Sequence, residues 1–305
     1  MEAAITVKGL KKSYKTHAVL KGVDFTVGKG EVFALLGSNG AGKTTIINIL
    51  TTLIKADDGT ATVSGYDVAK NPAKVRRCIS LTGQFAAVDD VLSARENLEM
   101  IGDLRHVSNS AQTAADLLEK FNLVDAADRR VLTFSGGMRR RLDIAMSLIG
   151  NSPIIFLDEP TTGLDPEARS DMWQTIQALA RGGTTVFLTT QYLEEADELA
   201  ETIALLHKGK IVASGTAREL KKLVPGGLVK FTFHDEKQRK AAIGILEEDY
   251  DITKGNDLTL TVAAGSSTAQ LAGLFIKLRD AQLEPADFSQ QIPTLDDVFF
   301  KLTRK

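Results

Sequence analysis

A single cysteine, Cys78, stands in a chain of 305 residues, so no internal disulfide can form and nothing marks an oxidising compartment. The four histidines, His17, His106, His207 and His234, lie far apart, without metal-ligand spacing. Charge of one sign is also missing. Lys and Arg number 37 against 39 Asp and Glu, for a formal net charge of −2. A near-neutral chain has no global basic field with which to hold nucleic acid by its phosphates. Long apolar runs are absent: the longest, such as those at 32–36 and 154–157, are strand-length. A membrane-spanning helix needs about 18 or more such residues. Residues 1–12 lack a basic start followed by an apolar core, so no secretory leader is expected. There is no internal repeat and no low-complexity run.

What is present is the composition of a globular protein, 43% hydrophobic and 25% charged. The length suits about two domains at roughly 150 residues each. Through the first two-thirds, short apolar segments alternate with helical patterns. Residues 31–36, 154–157 and 184–188 read as buried strands, and 44–53 and 167–180 as helices. That alternation predicts a mostly parallel sheet covered on both faces. Residues 5–14, 19–27 and 60–65 alternate more like antiparallel strands and suit a small β-layer beside it. Residues 92–150 are mainly helical and suggest an inserted lobe. At Pro225-Gly226-Gly227 the chain punctuates itself, and a new α+β pattern begins, with a ferredoxin-like arrangement as one candidate.

From Gly37 the sequence reads GSNGAGKTT, which fits G-x-x-x-x-G-K-[ST]. Gly37, Gly42, Lys43 and Thr44 are in register; Ser38, Asn39, Gly40 and Ala41 fill the loop and Thr45 follows it. The glycines let successive backbone N–H groups turn inward around phosphate oxygens. The helix opening near Gly42 directs its positive end at the same anion. Lys43 suits the β- and γ-phosphates of ATP, and the Thr44 hydroxyl suits Mg²⁺. A second constellation, IIFLDEP at 154–160, is an apolar strand ending in two carboxylates. Alone it would read as a buried strand emerging at an acidic edge. Beside a phosphate loop, Asp158 is expected near Mg²⁺, and Glu159 is placed to polarise the water that attacks the γ-phosphate.

The segment FSGGM at 134–138 resembles the signature motif of ATP-binding cassette (ABC) ATPases, and it falls between the two ATP motifs at a helix start, as in that family. Gln84 in LTGQF resembles the Q-loop glutamine, Gly163-Leu164-Asp165 resembles the D-loop, and Tyr14 resembles the aromatic residue that stacks on adenine. The resemblance covers residues 1–220 approximately, with the motifs in family order. SGGMRRRLDIA, LTTQYLEEAD and PTLDDVFFKLT are similar to one branch, the ATPase subunits of daunorubicin-resistance-type drug exporters, as is the small domain after Pro225.

The resemblance implies an α/β P-loop NTPase core with an antiparallel β-subdomain and an inserted helical subdomain near 85–150, all within 1–222, followed by an accessory α+β domain at 223–305. It implies an ATP-hydrolysing subunit that powers efflux of a drug, antibiotic or other hydrophobic substrate. Separate multi-spanning permease subunits would carry the substrate, with this chain peripheral on the cytoplasmic face of the membrane and no nucleic-acid partner. Two cassettes would close around ATP, each offering Ser135, Gly136, Gly137 and Asp165 to the other's nucleotide. Gln84 would touch Mg²⁺ and the attacking water, acting with Glu159 and Lys43. Tyr14, read from its own position, is equally a half-buried strand-end residue; the resemblance favours stacking.

One departure stands out. The family usually has a histidine after the strand TTVFLTT, where this chain has Gln191. A glutamine can donate to a γ-phosphate but carries no charge. Arg139, Arg140 and Arg141 are expected on a solvated or interdomain face, with Leu142, Ala145, Met146 and Ile149 facing the core. Leu98, Ile101 and Leu104, on the lobe surface that would receive the membrane subunit, otherwise read as core positions of one helix. A soluble ABC ATPase acting on the ribosome is the rival, but such proteins usually carry two cassettes. A DNA-repair ATPase would need a long coiled coil between Thr44 and Ser135, where there is no room for one.

Overall fold

The computed structural model describes residues 2–83, 87–150, 152–224, 227–255, 257–265, 267–291 and 293–303. Strands β1 (Ala3–Tyr14) and β2 (His17–Gly28) form a long antiparallel hairpin. Then come β3 (Val32–Leu36), α1 (Lys43–Leu50), β4 (Asp58–Val63), β5 (Tyr66–Asp67), α2 (Pro72–Arg77) and β6 (Ile79–Thr82). Three helices follow as the inserted lobe: α3 (Ala94–Leu104), α4 (Ser110–Lys120) and α5 (Gly136–Leu148). The chain returns through β7 (Ile154–Asp158), α6 (Pro166–Arg181), β8 (Thr185–Thr190), α7 (Leu193–Leu199), β9 (Thr202–His207), β10 (Lys210–Gly215) and α8 (Ala217–Lys221).

Two sheets build this part. One is antiparallel, in the order β2-β1-β4-β5. The other has six strands in the order β10-β9-β3-β8-β7-β6, parallel except for β10 at its edge. Every residue of β3, β7 and β8 is buried, as expected of central strands covered on both faces. Phe33, Phe187 and Phe156 occupy one register row across β3, β8 and β7. Their rings lie 5.3 Å apart from centroid to centroid, and Phe25 of β2 stacks on Phe33 at 5.2 Å. Each such pair contributes about 0.5–1.5 kcal/mol beyond its buried area, so the row ties the antiparallel layer to the parallel sheet and holds three strands in register.

Helix starts follow local chemistry. Ser93 and Glu96 form a reciprocal capping box at α3. Asp165 caps α6, with Pro166 in its first turn. In α3, Leu98 is buried and Ile101 half-buried, but Leu104 is 69% exposed beside Met100 at 38%. Of the three, Leu98 and Ile101 turn inward, and Leu104, in the last turn of α3, is left uncovered among the described residues.

The chain divides into two compact units, Met1–Ala217 and Arg218–Lys305. The second runs β11 (Leu228–Thr232), α9 (Glu236–Leu246), β12 (Ile252–Lys254), β13 (Thr259–Ala263), α10 (Thr268–Asp280) and β14 (Asp287–Gln291), then α11 (Leu295–Thr303). Its sheet order, β12-β13-β11-β14 with all pairs antiparallel, is the ferredoxin-like arrangement of a β-α-β-β-α-β unit. Alternation puts Val229, Phe231, Leu260 and Val262 into one core with Leu246 and Leu274 of the two helices.

Candidate nucleotide site

β3 delivers the chain into the 37–44 loop, which closes on α1. Gly42 stands at the helix N-cap with φ 113°, and a Cβ there would meet Leu20 at 2.7 Å. Only glycine satisfies both demands. The loop tip, Ser38 to Gly40, is exposed, Ala41 is buried and Thr45 half-buried. The Lys43 side chain folds back under the loop: its ammonium donates to the Gly37 carbonyl at 2.8 Å and lies 3.1 Å from a Glu159 carboxylate oxygen. Both groups are largely shielded, at 5% and 11% side-chain exposure. The loop, His17, Val19 and Glu159 line one cleft of about 510 Å³.

β7 and β8 bring the carboxylates there. The Thr44 hydroxyl donates to Asp158 at 3.1 Å, and the Thr189 hydroxyl donates to the other oxygen of the same carboxylate. A hydroxyl and a carboxylate side by side are hard oxygen donors, a set that fits Mg²⁺ completed by phosphate and water. Glu159 has a left-handed backbone, φ 49°, at a cost of about 1–3 kcal/mol for a residue with a side chain. Its N–H is held by the Thr189 carbonyl and hydroxyl, each at 3.1 Å. Thr189 escaped the sequence reading because a threonine in a buried strand looks like β-propensity; the only signal was its place at the strand's end.

The signature helix begins with Ser135 as the N-cap of α5, its hydroxyl oxygen accepting from the Met138 N–H at 3.3 Å. That leaves the hydroxyl proton free to donate outward. Ser135 and Gly136 are exposed, whereas Gly137 is buried against α6. A Cβ on Gly137 would lie 2.8 Å from Ala168 Cβ; one on Gly136 would meet nothing nearer than Leu164 at 3.8 Å. Gly137→Ala should therefore lower the melting temperature of the free protein by several degrees, since overpacking costs about 1–3 kcal/mol, and for a domain of this size each kcal/mol is roughly 2–4 °C. Gly136→Ala should leave it unchanged. Differential scanning calorimetry of the two variants separates these glycines, which the sequence motif treats alike.

Arg140 departs from the solvated half of the expectation: it is 6% exposed. Its guanidinium donates to the carbonyls of Pro160 (3.0 Å), Gly83 (2.6 Å) and Asp158 (3.2 Å), and to Asp143 at 3.2 Å. Burial pushes Arg140 below its ordinary range and Asp143 above its own, and each partner opposes the other's shift. Arg139 and Arg141 do lie nearer solvent, paired with Asp90 and Asp171. Leu142, Ala145, Met146 and Ile149 face the core.

Tyr14 ends β1 opposite His17, which lines the cleft; the tyrosine is 47% exposed, with the Lys12 ammonium 5.8 Å from its ring centre. Gln191 follows β8 directly and is half-buried. The N-cap of α7 is Tyr192, whose N–H is held by the Thr190 hydroxyl at 2.9 Å, so the helix start does not call on Gln191. Asp165 spends one oxygen on the α6 cap. Gln84 lies outside the described residues. The structure thus brings Lys43, Thr44, Asp158 and Glu159 together; Ser135, Gly136 and Asp165 face outward at two helix starts.

Residues 20–162 match the family described as ABC transporter. The chain is 44% identical over 305 residues to the daunorubicin resistance ATP-binding protein DrrA2 of Streptomyces coeruleorubidus, covering 98% of this chain and 95% of that protein. It is also 44% identical to the daunorubicin/doxorubicin resistance ATP-binding protein DrrA of Streptomyces peucetius, over 98% of this chain and 92% of that one. Among solved structures, a dimeric ATP-binding cassette in a post-hydrolysis state bound to ADP and Pi superposes with a TM-score of 0.63 at 26% identity, covering 70% of this chain and 98% of that one.

Proposed function

This chain belongs to the ATP-binding subunits of ABC transporters, and from that premise we propose that it hydrolyses ATP to power export of a drug, antibiotic or similar hydrophobic molecule through separate membrane subunits. The observation that carries the reading is the convergence of Lys43, Thr44 and Glu159 at one cleft, with Asp158 hydrogen-bonded to Thr44 at its wall. Among the described residues no helix is long and apolar enough to cross a membrane, so the work would be delivered through a permease. The names of the relatives support a hydrophobic antibiotic as cargo.

In this reading the loop N–H groups and the α1 dipole cradle the phosphates. The Lys43 ammonium exchanges the Glu159 carboxylate for β- and γ-oxygens. Thr44 and Asp158 are the side chains that would hold Mg²⁺, which when bound neutralises charge on those oxygens. Glu159, released from Lys43, polarises the attacking water, a task the resemblance assigns to Gln84 as well. Gln191 is a donor to the γ-phosphate, and Tyr14 is the adenine platform. Two copies close so that Ser135 and the start of α5 meet the partner's γ-phosphate and Asp165 lies along the joint; the dimeric relative supports such closure. The exposed Val91, Met100 and Leu104 of the lobe suit an apolar docking helix from the permease.

Purification from native membranes in mild detergent should bring down a small multi-spanning protein, and the preparation should release phosphate from Mg²⁺–ATP but not from ATP with excess chelator. A lone chain with no membrane partner, or turnover indifferent to chelation, would count against this reading.

A further inference from the structure

Arg140 sits five residues into the signature helix, yet its guanidinium reaches out of that helix to the acidic loop. It donates to the carbonyls of Asp158 and Pro160, the residues on either side of Glu159, and to the carbonyl of Gly83, the residue before Gln84. With the Asp143 contact, four of its five N–H groups are engaged. A buried ion pair is weak evidence for stability, because desolvating both charges offsets most of their attraction. Its geometry is another matter, since a planar fork with fixed donors sets the directions of the groups it binds.

Glu159 needs such a hold. Its left-handed φ of 49° is not self-sustaining for a residue with a side chain, and rotation about that backbone would swing the carboxylate away from Lys43. Thr189 fixes its N–H from one side; Arg140 fixes the carbonyls before and after it from the other. We propose that Arg140 is a positioning residue for hydrolysis, holding the Glu159 backbone in its left-handed conformation and tying the Gly83 carbonyl to the same point. The proposal rests on the reading of Glu159 as the group that polarises the attacking water. Through this side chain the helix carrying Ser135 is linked to the loop carrying Glu159.

The test uses the full chain and Mg²⁺–ATP. Arg140→Lys keeps a cation beside Asp143 but cannot span three carbonyls. It should retain the fold and the affinity for ATP while kcat per folded molecule falls on the order of 100-fold, the scale of a small misplacement of a reacting group, with KM little changed. In a Glu159→Gln background the same substitution should cost almost nothing more, because residues acting as one unit are not additive. Arg140→Gln combined with Asp143→Asn removes both charges without stranding either, and should show the same split between kcat and KM. A lowered melting temperature with wild-type kcat per folded molecule, or a full additional loss in the Glu159→Gln background, would overturn the positioning role. So would failure of both variants to fold, which would make Arg140 a core anchor. Glu159→Gln hydrolysing at the wild-type rate would overturn the site reading itself, and is distinguished by needing no Arg140 variant.

Discussion

Lys43→Ala should abolish measurable ATP turnover, by roughly 10³-fold or more if phosphoryl transfer relies on its electrostatics as such sites do, while the protein stays folded. The ammonium lies beneath the 37–44 loop, on the Gly37 carbonyl and 3.1 Å from Glu159. Its removal takes away the cation that can meet the β- and γ-oxygens, and leaves the Glu159 carboxylate facing the phosphates without that counter-charge. Charge-assisted hydrogen bonds are worth about 1.5–3 kcal/mol each, so affinity should drop by at least about tenfold as well. Folding should survive because Lys43 opens α1, where alanine is a strong helix former. Phosphate release and fluorescent-nucleotide titration, with circular dichroism as the folding control, measure all three. Wild-type turnover in this variant would remove the site.

Glu159→Gln should separate the two quantities that Lys43→Ala lowers together. The glutamine is nearly isosteric, can still accept from the Thr162 hydroxyl as the carboxylate does at 3.3 Å, and has no negative charge with which to hold Lys43. The ammonium is then fully available to phosphate, so ATP should bind at least as tightly as to the wild type. Hydrolysis should fall by about 10²–10⁴-fold, the usual range for loss of a general base. Tight binding with slow hydrolysis should accumulate the closed, ATP-bound dimer. Size-exclusion chromatography with Mg²⁺–ATP should show an earlier peak that collapses in ADP. An unchanged monomer peak at high protein concentration would argue against two cassettes closing on ATP.

How much of this was legible beforehand depended on how local each signal was. The phosphate loop and acidic strand end were readable because their chemistry is contiguous: eight residues and seven residues of chain carry it. The central strands were readable because burial on both faces writes an unbroken apolar run. Ile79–Thr82 was not read as a strand, since four residues beginning after Cys78 carry too little period to register. Arg140 was misplaced because its partners lie 57, 20 and 18 residues away along the chain. Nothing in SGGMRRRLDIA tells which arginine turns inward; that is decided by the strands against which α5 packs. The two signature glycines also read alike, though one is required by contact with Ala168 and the other lies open.

The phenylalanine row across β3, β8 and β7 has a bearing on how such a protein can be remodelled. It crosses the sheet two residues short of Asp158 and Thr189 and three short of Leu36, where the phosphate loop departs. Because the three strands are parallel and start from one datum line, the heights of three separate loops are measured from the hydrophobic interior rather than from each other. A slip of one residue along β7 would lower its carboxylates by about 3.3 Å and turn them to the opposite face. With the datum intact, changing one loop leaves the strand ends of the other two at their heights, and only the side-chain contacts between loops, such as Lys43 to Glu159 and Thr44 to Asp158, have to be remade. The interior works as a mounting plate, and loops grafted onto it should keep their alignment while surface and partner preferences are redesigned.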